Sequence, residues 1–231
     1  MEYSECSLFG FSTGALALGN FRLAIEYLSG TCSRATELSA LRSKELLPLM
    51  SSLPELDLSS LGEVSVHAPS RFGALGEEVV ANVLRPCIEK GIRVIVHPHA
   101  LERPSIWQEF GDLLCIENND LRKPGRTVEE LCPIFERFGF ASWCFDVAHA
   151  WSVDHTLGEA KRLIDAFGER MSEVHISQLD DKGAHFPLTE RTIALYRQLD
   201  LPRSATVIIE SPVPACAIEE EIEKARTALR C

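Results

Sequence analysis

The chain has 231 residues, 45% hydrophobic and 25% charged, an ordinary globular composition that excludes disordered, collagen-like and fibrous classes. Its net charge of −11 disfavours nucleic acid as a partner, and no run of about 18 apolar residues is present to span a membrane. The eight cysteines are scattered with no C-x-x-C pair, and the N-terminal MEYSECSLFGFS lacks a basic segment ahead of an apolar run, so a soluble, cytoplasmic protein with reduced thiols is expected.

Short β-branched or apolar runs predict strands, in chain order, at 8–13, 34–38, 63–67, 93–97, 113–117, 142–146, 173–176 and 206–210. Amphipathic stretches follow them, with helical spacing of apolar residues clearest at 76–90, 127–138, 157–167 and 189–199. Cys115 and Cys144 fall inside apolar runs and are expected as small buried hydrophobes. No G-x-G-x-x-G or G-x-x-x-x-G-K-[ST] loop occurs, nor any linker or low-complexity tract. A strand–helix unit repeated eight times without interruption predicts one domain over residues 1–231, a (β/α)₈ TIM barrel.

Nearly every predicted strand ends in a residue of metal-ligand type: Glu37, His67, His97, Glu117, Asp146 with His149, His175 and Glu210. A closed barrel aims its strand ends at one face, so these residues converge although they are far apart in sequence. Unpaired, they would be a costly cluster of charges, which a divalent metal would neutralise. Glu117, Asp146, His175 and Glu210 make an oxygen-rich set suited to Mn²⁺, Mg²⁺ or Co²⁺, whereas His67 and His97 beside Glu117 suit Zn²⁺.

The segments VSVHAPS, VIVHPH, LCIENND, CFDVAHA, EVHISQ and VIIESP resemble, in order, the strand-end motifs of the xylose isomerase-like TIM-barrel superfamily, which includes sugar epimerases, inosose-processing enzymes and endonuclease IV. The resemblance implies a metal held by Glu117, Asp146, His175 and Glu210. It also implies that His149, in the D-x-x-H of Asp146, touches substrate as in the epimerases or holds a further zinc as in endonuclease IV. His67, His97 and His185 match additional zinc ligands of endonuclease IV, so one to three ions are implied. Two departures stand out. Where the nuclease has Asp-x-His, this chain has Gly183-Ala184-His185, and Asp180 or Asp181 would have to supply the missing carboxylate from what otherwise is a solvated DDKG turn. An arginine that many epimerases carry after the strand-seven histidine is replaced by Ser177, Gln178 and Lys182.

Two chemistries fit. In a sugar or sugar-phosphate isomerase or epimerase, the favoured expectation, Glu117 and Glu210 are the catalytic acid and base around a metal-stabilised enediolate. In an endonuclease IV-like phosphoester hydrolase, two or three metals held with His67, His97, His149 and His185 activate water. A third class, a binding barrel without catalysis, has no need of paired carboxylates. His149, Trp151, Lys182 and Arg71 are the expected substrate contacts. Arg122, Lys123 and Arg126 follow strand ends and could hold a phosphate, and Phe72 and Phe186 could join Trp151 in an apolar wall.

Overall fold

A computed structural model describes residues 7–230; Cys6, Cys231 and most of the N-terminal segment discussed above lie outside the described residues. Eight parallel strands close into a barrel: β1 Phe9–Ser12, β2 Ala35–Ser39, β3 Glu63–His67, β4 Arg93–Val96, β5 Leu114–Glu117, β6 Ser142–Asp146, β7 Met171–Ile176 and, after a two-stranded hairpin of β8 Gln178–Leu179 and β9 His185–Phe186, β10 Thr206–Ile209. The closing pair is β1 with β10, in register Phe9 to Val207 and Phe11 to Ile209. The chain is thus a (β/α)₈ TIM barrel, as its strand–helix rhythm predicts.

Side chains alternate along each strand between the barrel axis and the helical layer. Phe9, Phe11, Val66, Val94, Val96, Ile116, Trp143, Phe145, Val174, Ile176, Val207 and Ile209 pack outward into one continuous core with the helices. Ile95, Cys115 and Cys144 form a separate apolar cluster, and both cysteines are buried as expected. Gly10 makes the β1–β2 seam possible, because a Cβ there would stand 1.6 Å from the carbonyl oxygen of Ala35.

The helices start where side chains can satisfy their free amides. Thr127 accepts from the Glu130 amide before the Val128–Arg137 helix, and Thr189 caps the Glu190–Tyr196 helix through the Thr192 amide. The helical stretch expected at 76–90 is instead two helices, Gly76–Leu84 and Pro86–Glu89, because Pro86 has no amide hydrogen to continue the first. No helix among the described residues is long and apolar enough to cross a membrane.

Candidate metal centre

Each strand end delivers its side chain to the same mouth of the barrel. Glu117 ends β5 and is the hub: its Oε2 lies 3.1 Å from His67 Nε2 and 3.4 Å from His97 Nδ1, and its Oε1 lies 3.4 Å from both His149 Nδ1 and His175 Nδ1. His67 is oriented by its other nitrogen, Nδ1–H, which donates to the Ala68 carbonyl at 2.6 Å. Asp146 ends β6 and also caps the next helix, Val147–Val153, by accepting from the His149 amide at 2.6 Å. That cap swings His149 over the mouth, where its Nδ1–H donates to the Asn118 carbonyl. Glu210 follows β10, with Oε1 3.7 Å from His175 Nδ1 and Oε2 3.4 Å from His185 Nδ1.

Two sets of residues at the mouth could hold a metal, and a third, Cys144, Glu173 and His175, has its ligand atoms equally close together one layer beneath them. The ligand atoms of Glu117, Asp146, His175 and Glu210 lie within 4.8 Å of one another, and so do those of His67, His97 and Glu117. His97 Nδ1, His175 Nδ1 and Asp146 Oδ2 are buried with no hydrogen-bond partner among the described residues. Orphaned polar atoms of this kind are expensive in a protein interior unless a ligand meets them. Carboxylate oxygens with one imidazole, and imidazoles with one carboxylate, are donor sets that fit a divalent cation.

The electrostatics show how tightly the groups are coupled. Burial opposes charge on Glu117, yet His97, His175 and His67 outweigh it and hold the carboxyl well below the usual carboxylate range. Burial, joined by repulsion from Glu210 and Glu117, pushes Asp146 well above that range. Burial drives His97 well below the ordinary histidine value. In His67 burial is overcome by Glu37 and Glu117, which raise its pKa to about 9. In His175 burial is likewise overcome, chiefly by Glu37 and Glu210, and the pKa rises well above normal. Protons on these imidazoles balance the carboxylates as a divalent cation would, so protons and metal compete for the same atoms.

A cavity of about 340 Å³ opens onto the centre, lined by His67, His97, Glu117, His149, His185 and Glu210 on its ionisable side. Ala15, Leu18, Leu41 and Pro212 form its apolar wall, and Asp120, Arg122 and Lys123 border it. Of the expected substrate contacts only His149 is among the residues lining this cavity. Trp151 stacks on His155, with ring centroids 4.3 Å apart, beside a different depression. Arg71 and Phe72 line a neighbouring hollow with His99, while Lys182 and Phe186 are exposed on the β8–β9 hairpin. Arg126 is paired with Glu130. Glu37 is not at the mouth, because β2 runs two residues beyond it to Ser39; it sits fully buried beneath His175.

At the hairpin, Gly183 has φ +74°, and a Cβ there would stand 2.2 Å from Arg122 Cζ. Arg122 is itself fixed, donating from Nε and Nη2 to Asp120 and from Nη1 to the Lys182 carbonyl. Asp180 is committed to its own turn, accepting from the amides of Lys182 and Ala184. Asp180 Oδ1 is thus occupied within the turn, Asp181 is exposed and position 183 has no side chain, while His185 Nδ1 is held by Ser177 Oγ at 2.8 Å. Asn118, which sequence reasoning passed over, clamps the site: its amide donates to the Asp146 carbonyl and its oxygen accepts from the Asp146 amide, both at 2.9 Å. Its only signal was its place next to Glu117.

No family model and no curated protein sequence matches the chain. Among solved structures it is similar to endonuclease IV from Thermus thermophilus, at 22% identity and TM-score 0.57, over 96% of this chain and 97% of that one. It is also similar to 3-keto-D-glucoside 4-epimerase from E. coli in its apo form, at 15% identity and the same TM-score of 0.57, over 96% of this chain and 99% of that one. Identities this low speak for a shared fold, and it is the fold that the six strand-end segments imply.

Proposed function

We propose that the protein is a divalent-metal-dependent isomerase or epimerase acting on a small sugar or sugar phosphate. The observation that carries this is the pair of carboxylates, Glu117 and Glu210, that approach His175 Nδ1 at 3.4 and 3.7 Å beside a cavity sized for a single small molecule. Glu117, Asp146, His175 and Glu210 would hold the ion, which supplies Lewis-acid polarisation of a substrate carbonyl and its neighbouring hydroxyl.

The chain's own groups then move the proton. Glu210 borders the cavity and has His185 at 3.4 Å, itself held by Ser177, so one carboxylate oxygen is placed to accept a carbon-bound proton from one face. Glu117, held ionised with Oε2 facing His67 and His97 and Oε1 facing His149 and His175, would return a proton to the other face by taking it from one of these imidazoles. Ala15, Leu18, Leu41 and Pro212 give the cavity an apolar side against which a substrate's carbon skeleton could rest.

A second activity, phosphoester hydrolysis, is favoured by one specific feature: Glu117 presents a different oxygen to each of two ligand sets, as a carboxylate shared between two ions does. Against its three-metal form stands Arg122, packed over Gly183 where a further carboxylate would be needed. Incubation of metal-loaded protein in D₂O with aldoses, ketoses and their phosphates separates the two. Deuterium incorporation that is lost in Glu117→Gln and Glu210→Gln is the expected result. Phosphoester cleavage without exchange, lost in His149→Ala and His185→Ala, would replace isomerisation by hydrolysis, and neither activity in a metal-binding protein would leave a non-catalytic barrel.

A further inference from the structure

TIM barrels are ordinarily filled along the axis by branched aliphatic side chains. Here ionisable and hydroxyl groups run from the cavity floor toward the opposite end. Glu173 of β7 accepts from Ser65 Oγ at 2.9 Å and faces Arg93 Nε at 3.5 Å. Arg93 in turn donates to Glu63 at 3.0 Å and to Thr206 Oγ1 at 2.9 Å. Glu173 is fully buried while Arg93 keeps some exposure, and a carboxylate withdrawn from water in this way serves stability no better than apolar side chains of the same volume. Something other than packing is needed to account for an acid at this position.

What Glu173 touches supplies the account. Its Oε1 accepts from His175 Nε2–H at 3.1 Å, within hydrogen-bond geometry. The other ring nitrogen, Nδ1, faces Glu117 and Glu210 and has no hydrogen-bond partner among the described residues. A metal that takes Nδ1 displaces the proton there, so the N–H that the ring keeps is on Nε2, and an acceptor fixed on Nε2 keeps Nδ1 turned toward the metal-ligand set. Glu37 is the competing acceptor. Its Oε2 lies 3.4 Å from Nε2 without making a hydrogen bond, while its Oε1 is taken by Ser39 Oγ.

We infer that Glu173 is a positioning residue: hydrogen-bonded from below by Ser65 and facing the charge of Arg93, it fixes the N–H position and ring orientation of His175 so that Nδ1 is presented to the metal. The inference rests on the metal site proposed above, and it extends the working centre one layer down the barrel axis. The polar axis is then support for the site, with Ile95, Cys115 and Cys144 as its apolar packing.

The test compares wild type with Glu173→Leu, Glu173→Gln and Glu37→Gln by two measurements. Long-range ¹H–¹⁵N spectra, with His175 assigned by its loss in His175→Gln, report which ring nitrogen carries the proton and whether it is shielded from exchange. Titration with Co²⁺, followed by visible absorption, reports metal affinity and ligand geometry. The expected result is a slowly exchanging His175 Nε2–H in wild type, its loss in Glu173→Leu with Co²⁺ affinity weakened roughly 10- to 100-fold, and recovery of the N–H signal in Glu173→Gln, which retains an acceptor oxygen. Glu37→Gln should leave the signal in place. A folded Glu173→Leu with wild-type Co²⁺ affinity and spectrum, or loss of the signal in Glu37→Gln instead, would overturn the inference. If Glu173→Leu does not fold, Ser65→Ala decides: it removes a hydroxyl that orients Glu173, and an unmoved His175 N–H resonance counts against the role. Failure of wild type to bind Co²⁺ would refute the metal site itself, while the N–H signal of the metal-free protein still tests the positioning.

Discussion

Metal binding at the His67–His97–Glu117 set should expel a proton from His67. In the metal-free protein His67 Nδ1–H is committed to the Ala68 carbonyl and Nε2 faces Glu117, an arrangement that holds the ring protonated with a pKa raised to about 9. A metal that takes Nε2 at pH 7 must displace that proton from about two units below its pKa, which costs about 2.7 kcal/mol, or roughly 100-fold in apparent affinity. Apparent Kd should therefore fall about tenfold per pH unit between pH 7 and 9 from this group alone, with His175, also raised, able to add to the slope. The stability of the metal-free protein moves the opposite way. A histidine whose folded pKa lies above its unfolded value of about 6.5 contributes fully below that value, and its contribution is lost as pH rises through about 9. Calorimetric titration with Zn²⁺ in buffers of different ionisation enthalpy counts the protons released, and His67→Gln should release one fewer than wild type at pH 7. An equal proton count in the two proteins, with Kd flat from pH 7 to 9, would refute His67 as a ligand that must shed a proton.

Gly10→Ala should prevent closure of the barrel seam, because its Cβ would lie 1.6 Å from a backbone oxygen that no side-chain rotation can move. The expected loss exceeds the roughly 1–3 kcal/mol of ordinary overpacking; a melting temperature within 2 °C of wild type by calorimetry, a shift of about 1 kcal/mol or less at this chain length, would contradict it. Tyr196→Phe removes the buried bond from Tyr196 Oη to the Ser177 carbonyl, so stability should fall by about 1–2 kcal/mol, or roughly 2–8 °C in thermal unfolding followed by circular dichroism. An unchanged melting temperature would mean that the carbonyl finds another donor.

How much of this was legible in the sequence depended on the range of the interactions involved. Strands β3 and β6 were readable to the residue, 63–67 and 142–146, because β-branched and aromatic runs with outward apolar positions carry their own signal. The convergence of Glu117, Asp146, His175 and Glu210 was also readable, since closure of eight strands dictates where their ends meet. Glu173 was not recognised, although it stands two residues before His175 and so on the same face of β7; an acid near the start of a strand carries no mark that distinguishes a buried acceptor from a solvated end. The β8–β9 hairpin has two residues per strand, too few for any period to show. The placement of Trp151 against His155 depended on how a loop helix packs on the rim, which strand-end position does not fix.

Gly183 shows what the tertiary fold adds to a sequence departure. In the sequence it is only a missing carboxylate, which Asp180 or Asp181 would have to replace from what otherwise is a solvated turn. In the fold its left-handed backbone, φ +74°, makes room for Arg122, which Asp120 and the Lys182 carbonyl hold against the hairpin from a loop some sixty residues earlier. A guanidinium thereby stands at the cavity's edge, and Asp180 Oδ1 is spent on the turn that positions Gly183. Glu117, Asp146 and Glu210 remain as the carboxylates of the two metal-ligand sets. His185 has Ser177 and Glu210 as its partners, so under the proposed isomerase function it would assist a proton transfer at Glu210 rather than anchor a third ion.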